Sequence, residues 1–186
     1  MSMTELRDIT VSALALGFAF SMALGIDLLS SLFIITFAFI FHELGHRTVA
    51  RRLGAHAEYR MWPMGLLLAV LSGFMGFVFA APGAVYISPV VRGDFAFSVH
   101  RLTRKENGII ALSGPAINTA LGFAFLAGGI ATGQGLLLNA AYISFFLAMF
   151  NLLPLGPLDG RHVAESNCLT WGAAIGRAGM GYLLSA

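Results

Sequence analysis

The chain has 186 residues, of which 58% are hydrophobic and 11% charged, with a formal net charge of +2. Soluble domains carry roughly 25% charged residues, so an ordinary soluble domain is excluded and an integral membrane protein is indicated. The basic residues are scattered along the chain, which excludes a nucleic-acid partner. The single cysteine, Cys168, excludes an intrachain disulfide or a thiolate metal cluster.

The opening MSMTELRDIT holds acids and an arginine and does not read as a signal peptide. Residues 9–26 are apolar and about the length of one membrane span. Gly25-Ile26-Asp27 makes a tight break before a second span over residues 28–53, with Gly54 as its stop. Residues 57–90 are ambiguous. The stretch 61–81 is uncharged like a span but holds Pro63, Gly65, Gly73 and Gly76, and residues 83–88 (GAVYIS) read as a short strand. The expectation is a membrane-re-entrant β-hairpin with an apolar excursion. Such backbone is tolerated at membrane depth only where protein or a water cavity satisfies it. Residues 92–106 read as a polar loop, and spans three and four are expected over 108–131 and 136–153. The Gly-rich tail, 167–186, carries Arg177 and is not counted as a span. The fold class expected is an all-α polytopic membrane protein, a single helix bundle with a small re-entrant β-hairpin.

Basic residues favour the cytoplasmic side of a membrane. Arg7 precedes the first span, and Arg51, Arg52, Arg60, Arg92, Arg101, Arg104 and Lys105 lie between the second and third. Arg161 follows the fourth, while the turns 25–30 and 132–135 hold no basic residue. The N-terminus is therefore expected in the cytoplasm of a multi-pass protein of the cell membrane. If residues 61–81 crossed, Arg92 to Lys105 would face outward, against this rule.

Chemistry concentrates in His42-Glu43-Leu44-Gly45-His46, near the end of the second span. This is an H-E-x-x-H pattern. Residues four apart share a helix face, so His42 and His46 can hold one Zn²⁺ ion with Glu43 as the base acting on its water. Counting back from Arg51 at 1.5 Å per residue puts His46 about 8 Å and His42 about 14 Å inside the interface. Ionisable residues at that depth usually serve a function; the alternative is a helix end whose polar groups reach the headgroups. A third ligand is needed. Of the nine acidic residues, Asp159 alone joins Glu43 as plausibly placed, although it could also cap a helix beginning near Arg161.

HELGH, GPAIN at residues 114–118 and NLLPLGPLDG at residues 151–160 together resemble the site-2 protease family of intramembrane zinc metalloproteases. The resemblance covers roughly residues 28–165. It implies His42, His46 and Asp159 as zinc ligands, Glu43 as catalytic acid/base, and Asn118 and Asn151 as contacts to substrate or oxyanion. Asn118 and Asn151 could instead serve helix–helix hydrogen bonding. The chain departs from many relatives in lacking a clear soluble domain, in the apolar insertion at 64–81 and in its Gly-rich tail. The function expected is hydrolysis of peptide bonds within or next to transmembrane segments of protein substrates in the bilayer, with the site near the cytoplasmic face. The alternatives are an inactive family member serving as a scaffold, or a zinc transporter. A transporter would need a polar path to the far side, where the spans offer only Ser21, Ser31, Thr36 and Ser144.

Overall fold

The computed structural model describes residues 2–89, 91–92, 98–99 and 102–186. Helix α1 (Met3–Leu24) starts where Ser2 accepts a hydrogen bond from the Glu5 amide, and ends at Gly25 with φ of 65°. That left-handed conformation suits glycine. Two residues later Asp27 accepts from the Ser30 amide and opens α2 (Leu28–Arg52). A stop and a start so close together fold the first two helices into an antiparallel pair. Helix α4 (Arg104–Thr132) begins with a reciprocal capping box between Thr103 and Glu106. Helices α5 (Gly135–Asn151), α6 (Asp159–Ser166) and α7 (Cys168–Ser185) complete the bundle.

Three helices, α1, α2 and α4, are long and apolar enough to cross a membrane. Helix α5 is a shorter apolar helix of 17 residues, about 26 Å at the usual rise. Helix α2 packs between α1 and α4; α5 lies on α4, and α7 lies on α5. The largest core cluster joins Leu16 and Phe20 of α1, Ile35 and Phe39 of α2, and Ile143 and Leu147 of α5. The outward face of α2 is a stripe of Leu29, Phe33, Phe37, Phe41 and Leu44, all exposed. An apolar stripe this long marks a surface that meets lipid or protein rather than water.

The ambiguous segment resolves as two strands around a helix. Strand β1 (Ala55–Met61) pairs antiparallel with β2 (Gly83–Pro89), with Ala55 opposite Pro89 and Met61 opposite Gly83. The intervening chain therefore leaves and returns at one point. Within it α3 (Pro63–Gly73) has 11 residues, about 16 Å, which is too short to span. The expected excursion is thus present, and part of it is helical; proline at the first helical position costs no backbone hydrogen bond. Helix α3 packs along α1. The region expected as a loop, 92–106, contains part of a second small ladder, β3 (Val91–Arg92) with β4 (Ser98–Val99), and the start of α4. The remainder of that loop lies outside the described residues.

The tail is a helix despite its glycines. Gly181 of α7 has no room for a Cβ, which would meet the Phe145 ring of α5 at 2.2 Å. The indole Nε1 of Trp171 donates to the Leu152 carbonyl at 2.7 Å, and the Tyr142 and Tyr182 hydroxyls share a hydrogen bond at 2.5 Å.

On the other side of the sheet, α1 presents buried Glu5, Asp8 and Ser12 to β1. The Tyr59 amide donates to Glu5 Oε1 at 3.3 Å, and the Met61 amide donates to Asp8 Oδ2 at 3.4 Å. Ser12 Oγ and the Tyr59 hydroxyl are 2.9 Å apart. Strand β1 is thereby covered on both edges, by β2 and by α1. Strand β2 has no second strand partner among the described residues.

Candidate metal centre

Three elements bring the chemistry together. Helix α2 supplies His42 and His46 one turn apart, both buried, with Nε2 atoms 3.0 Å from one another. Helix α6 supplies Asp159, whose Oδ2 lies 3.3 Å from His42 Nε2 and 3.2 Å from His46 Nε2. Donors about 2.0–2.2 Å from a tetrahedral zinc stand roughly 3.3 Å from each other. The three separations match one face of that tetrahedron, and no other group of three ligand-type side chains converges in this way among the described residues.

The sequence around Asp159 explains its reach. The chain leaves α5 through Leu153-Pro154-Leu155-Gly156-Pro157, with Gly156 at a φ of 48°. Asp159 is the first helical residue of α6, behind Leu158 at the cap position, and it makes no capping bond. Its carboxylate points to the imidazoles instead. A Cβ on the next residue, Gly160, would meet the Leu152 carbonyl oxygen at 2.0 Å, so only glycine lets α6 start this close to α5. Burial disfavours the charge on Asp159, but His46 and His42 outweigh it and hold the carboxyl well below the usual carboxylate range.

Helix α4 forms the third wall. A Cβ at Gly114 would sit 2.4 Å from His46 Nε2 and 2.7 Å from His42 Nε2. Any larger residue would occupy the place where the ligand nitrogens converge. His46 Nδ1 lies 2.8 Å from the Ile110 carbonyl oxygen of the same helix. A carbonyl can only accept, so His46 carries its proton on Nδ1 and presents an Nε2 lone pair to the ligand face.

These side chains border a cavity of about 120 Å³, lined also by Glu43, Asn118, Asn151 and the Pro82–Val85 backbone. It has room for an ion and more than one water. Glu43 Oε2 is buried without a hydrogen-bond partner among the described residues. An acceptor left unpaired beside two imidazoles and a carboxylate is costly unless a water or metal-bound group meets it. The donor set, the space opposite Gly114 and this orphaned oxygen all fit a zinc ion with bound water.

The sequence-derived candidates separate into three groups. His42, His46 and Asp159 meet at one point, with Glu43 on the same cavity. Asn151 sits on the rim, its Nδ2 donating to the Leu147 carbonyl at 2.9 Å. Asn118 is fully buried, and its Nδ2 lies 3.2 Å from His42 Nδ1, on the ring edge away from the ligand face. His162 of α6 also lines the cavity, and His56 lies in β1. His100 lies outside the described residues. The burial of Glu5 and Asp8 is not anticipated from the sequence. Its signal is the spacing of Glu5, Asp8 and Ser12 on one face of the first helix.

The chain is 42% identical over 191 aligned positions, 98% of its own length and 94% of the relative's, to a protein of Methanocaldococcus jannaschii named "Putative zinc metalloprotease MJ0611". No family model matches the sequence. No solved structure matches it.

Proposed function

The chain belongs to the zinc metalloproteases represented by that archaeal relative, and from this premise we propose that it is an intramembrane endopeptidase of the site-2 protease type. Its substrates are membrane proteins cut within or next to a transmembrane segment. The observation that carries the reading is the convergence of His42, His46 and Asp159 on a cavity that Glu43 also lines, its Oε2 without a partner among the described residues, in a bundle whose exterior is apolar. Supporting the membrane setting are α1, α2 and α4, each long enough to cross, and the excursion over residues 62–82, which starts and ends at one level of the sheet. That excursion adds no crossing, so the basic residues before α4 stay on the side of Arg51 and Arg52. The protein then sits in the cell membrane with its N-terminus and its site toward the cytoplasm.

His42, His46 and Asp159 would hold the ion. Zinc bound there supplies a water of lowered pKa and a Lewis acid for the scissile carbonyl. Glu43 takes the proton of the attacking water as its oxygen bonds to the carbonyl carbon. As the C–N bond breaks, the same carboxylic acid returns that proton to the leaving amine. Asn151, which lines the cavity, is assigned as a donor to the substrate backbone. The free edge of β2 at Gly83–Val85 borders the cavity, so an unwound substrate segment pairs there as an added strand. Helical residues hide their carbonyls in hydrogen bonds, and a cut requires local unwinding. Segments with Gly, Pro or Asn near the cut unwind most cheaply.

The test is Glu43→Gln in the purified full-length protein. The variant is expected to keep one zinc per chain and to lose cleavage of a membrane-embedded substrate. Loss of zinc together with activity would make Glu43 a ligand or a structural group and overturn its assignment as the base.

A further inference from the structure

Neutral imidazole has one N–H, and an imidazole that binds a metal through Nε2 must carry its proton on Nδ1. His46 is fixed in that state by the Ile110 carbonyl oxygen, 2.8 Å from Nδ1. His42 faces a group with two options. Asn118 Nδ2 lies 3.2 Å from His42 Nδ1, and an amide nitrogen can only donate. In that orientation Nδ1 accepts, and the His42 proton stands on Nε2, directed toward His46 Nε2 at 3.0 Å and Asp159 Oδ2 at 3.3 Å. This is the tautomer that cannot ligate. At the same time Asn118 Oδ1 is buried without a hydrogen-bond partner among the described residues. A half-turn about the Cβ–Cγ bond exchanges the two ends of the amide in nearly the same volume. It places Oδ1 where it accepts from Nδ1–H, pairs the orphaned oxygen and frees the His42 Nε2 lone pair.

We propose that Asn118 is a positioning residue for the metal: its carbonyl oxygen, set toward His42 Nδ1, accepts the Nδ1 proton and holds His42 in the tautomer that ligates. This assignment rests on the zinc metalloprotease reading and differs from a substrate or oxyanion contact. Asn118 is fully buried, one helical turn after Gly114, and meets the ring edge that faces away from the ligands. The pair of outer partners is then complementary. Ile110 fixes His46 with a backbone oxygen that no substitution removes. Asn118 fixes His42 with a side-chain oxygen, which a substitution does remove.

The test compares zinc affinity of the full-length wild type, Asn118→Leu and Asn118→Asp, by chelator competition in detergent. Leucine has the volume but no acceptor, and a loss of about 10–100-fold is expected, the usual cost of removing the outer partner of a ligating histidine. Aspartate can only accept and is expected to stay within a few-fold of wild type. A substrate contact predicts unchanged zinc affinity in both variants, with the loss confined to turnover. A purely structural role predicts the reverse order, with the buried charge of aspartate worse than leucine. Either result overturns the proposal. If Asn118→Leu does not fold, Asn118→Ala takes its place: a loss of zinc affinity of about tenfold or more with Asn118→Asp near wild type supports the acceptor role, and affinity near wild type in Asn118→Ala overturns it. ¹⁵N shifts of the His42 ring give an independent readout: without zinc the wild type is expected to hold the proton on Nδ1 and Asn118→Leu to lose that preference, and a wild-type ring protonated on Nε2 would overturn the proposal. A wild type that binds no zinc would instead strike the metalloprotease reading itself.

Discussion

The two halves of α2 follow different rules. In the first half the inward residues Ile34, Ile35, Ala38 and Phe39 are apolar and packed, and the one buried polar residue, Ser31, donates to the Gly17 carbonyl of α1 at 2.7 Å. In the second half four inward side chains are polar: His42 meets Asn118 and His46 meets Ile110, both on α4, Arg47 meets Glu5 of α1, and Glu43 lines the cavity. The outward stripe of Phe33, Phe37, Phe41 and Leu44 continues across both halves. The apolar half therefore specifies volume. The polar half specifies atoms, and it tolerates change only where the partner changes too.

The hardest break is at the third ligand. Asp159→Ala removes the oxygen that faces both imidazoles and is expected to lower zinc affinity by more than about 100-fold, beyond the range of an outer partner. Gly114→Ala should come next, and it sharpens the contrast. Alanine favours a helix over glycine by about 1 kcal/mol. Its Cβ nevertheless enters the site 2.4 Å from His46 Nε2. Thermal stability without zinc is expected to hold or rise while zinc binding and cleavage fall at least tenfold; a variant that binds zinc normally would show that the space opposite Gly114 is not needed.

Glu5→Ala tests the polar half away from the metal. It strips the partner from Arg47, whose Nη1 stands 3.2 Å from Glu5 Oε1, with both side chains largely buried. Leaving one member of such a pair costs on the order of 3 kcal/mol. A lower melting temperature with unchanged zinc affinity is expected, and parallel loss of zinc would tie this pair to the site. Phe37→Leu on the outward stripe is the smallest change, expected within about 0.5 kcal/mol of wild type. A large loss there would mark the stripe as a specific protein interface.

The legible parts of the sequence were those in which one residue type has one use. His42, His46 and Asp159 stand together in the structure because each motif carries its own ligand, and Gly160 keeps its carboxylate in reach. The break at Gly25-Ile26-Asp27 was equally plain, since left-handed glycine and a capping aspartate are local devices. The stretch after Met61 was harder. Its composition fits a span, while the pairing of Met61 with Gly83 is a long-range fact that hydropathy does not encode. Helix α7 was hidden for the same reason: its glycines read as weakness until Phe145 is seen to fill the space beside Gly181. Glu5 and Asp8 looked like ordinary charges near a terminus, because their partners, the Tyr59 and Met61 amides, come from a strand more than fifty residues away. Asn118 was found by motif, but its neighbour is visible only in three dimensions.

The central claim is that His42, His46 and Asp159 bind one zinc ion. X-ray absorption at the zinc edge of the purified full-length protein tests it most directly. One zinc per chain is expected, with only nitrogen and oxygen neighbours at about 2.0–2.2 Å and the scattering signature of two imidazoles. Asp159→Ala is expected to lose one oxygen neighbour or the metal itself. A sulfur neighbour near 2.3 Å, which only exposed Cys168 or a methionine could supply, or a zinc environment unchanged by Asp159→Ala, would contradict it.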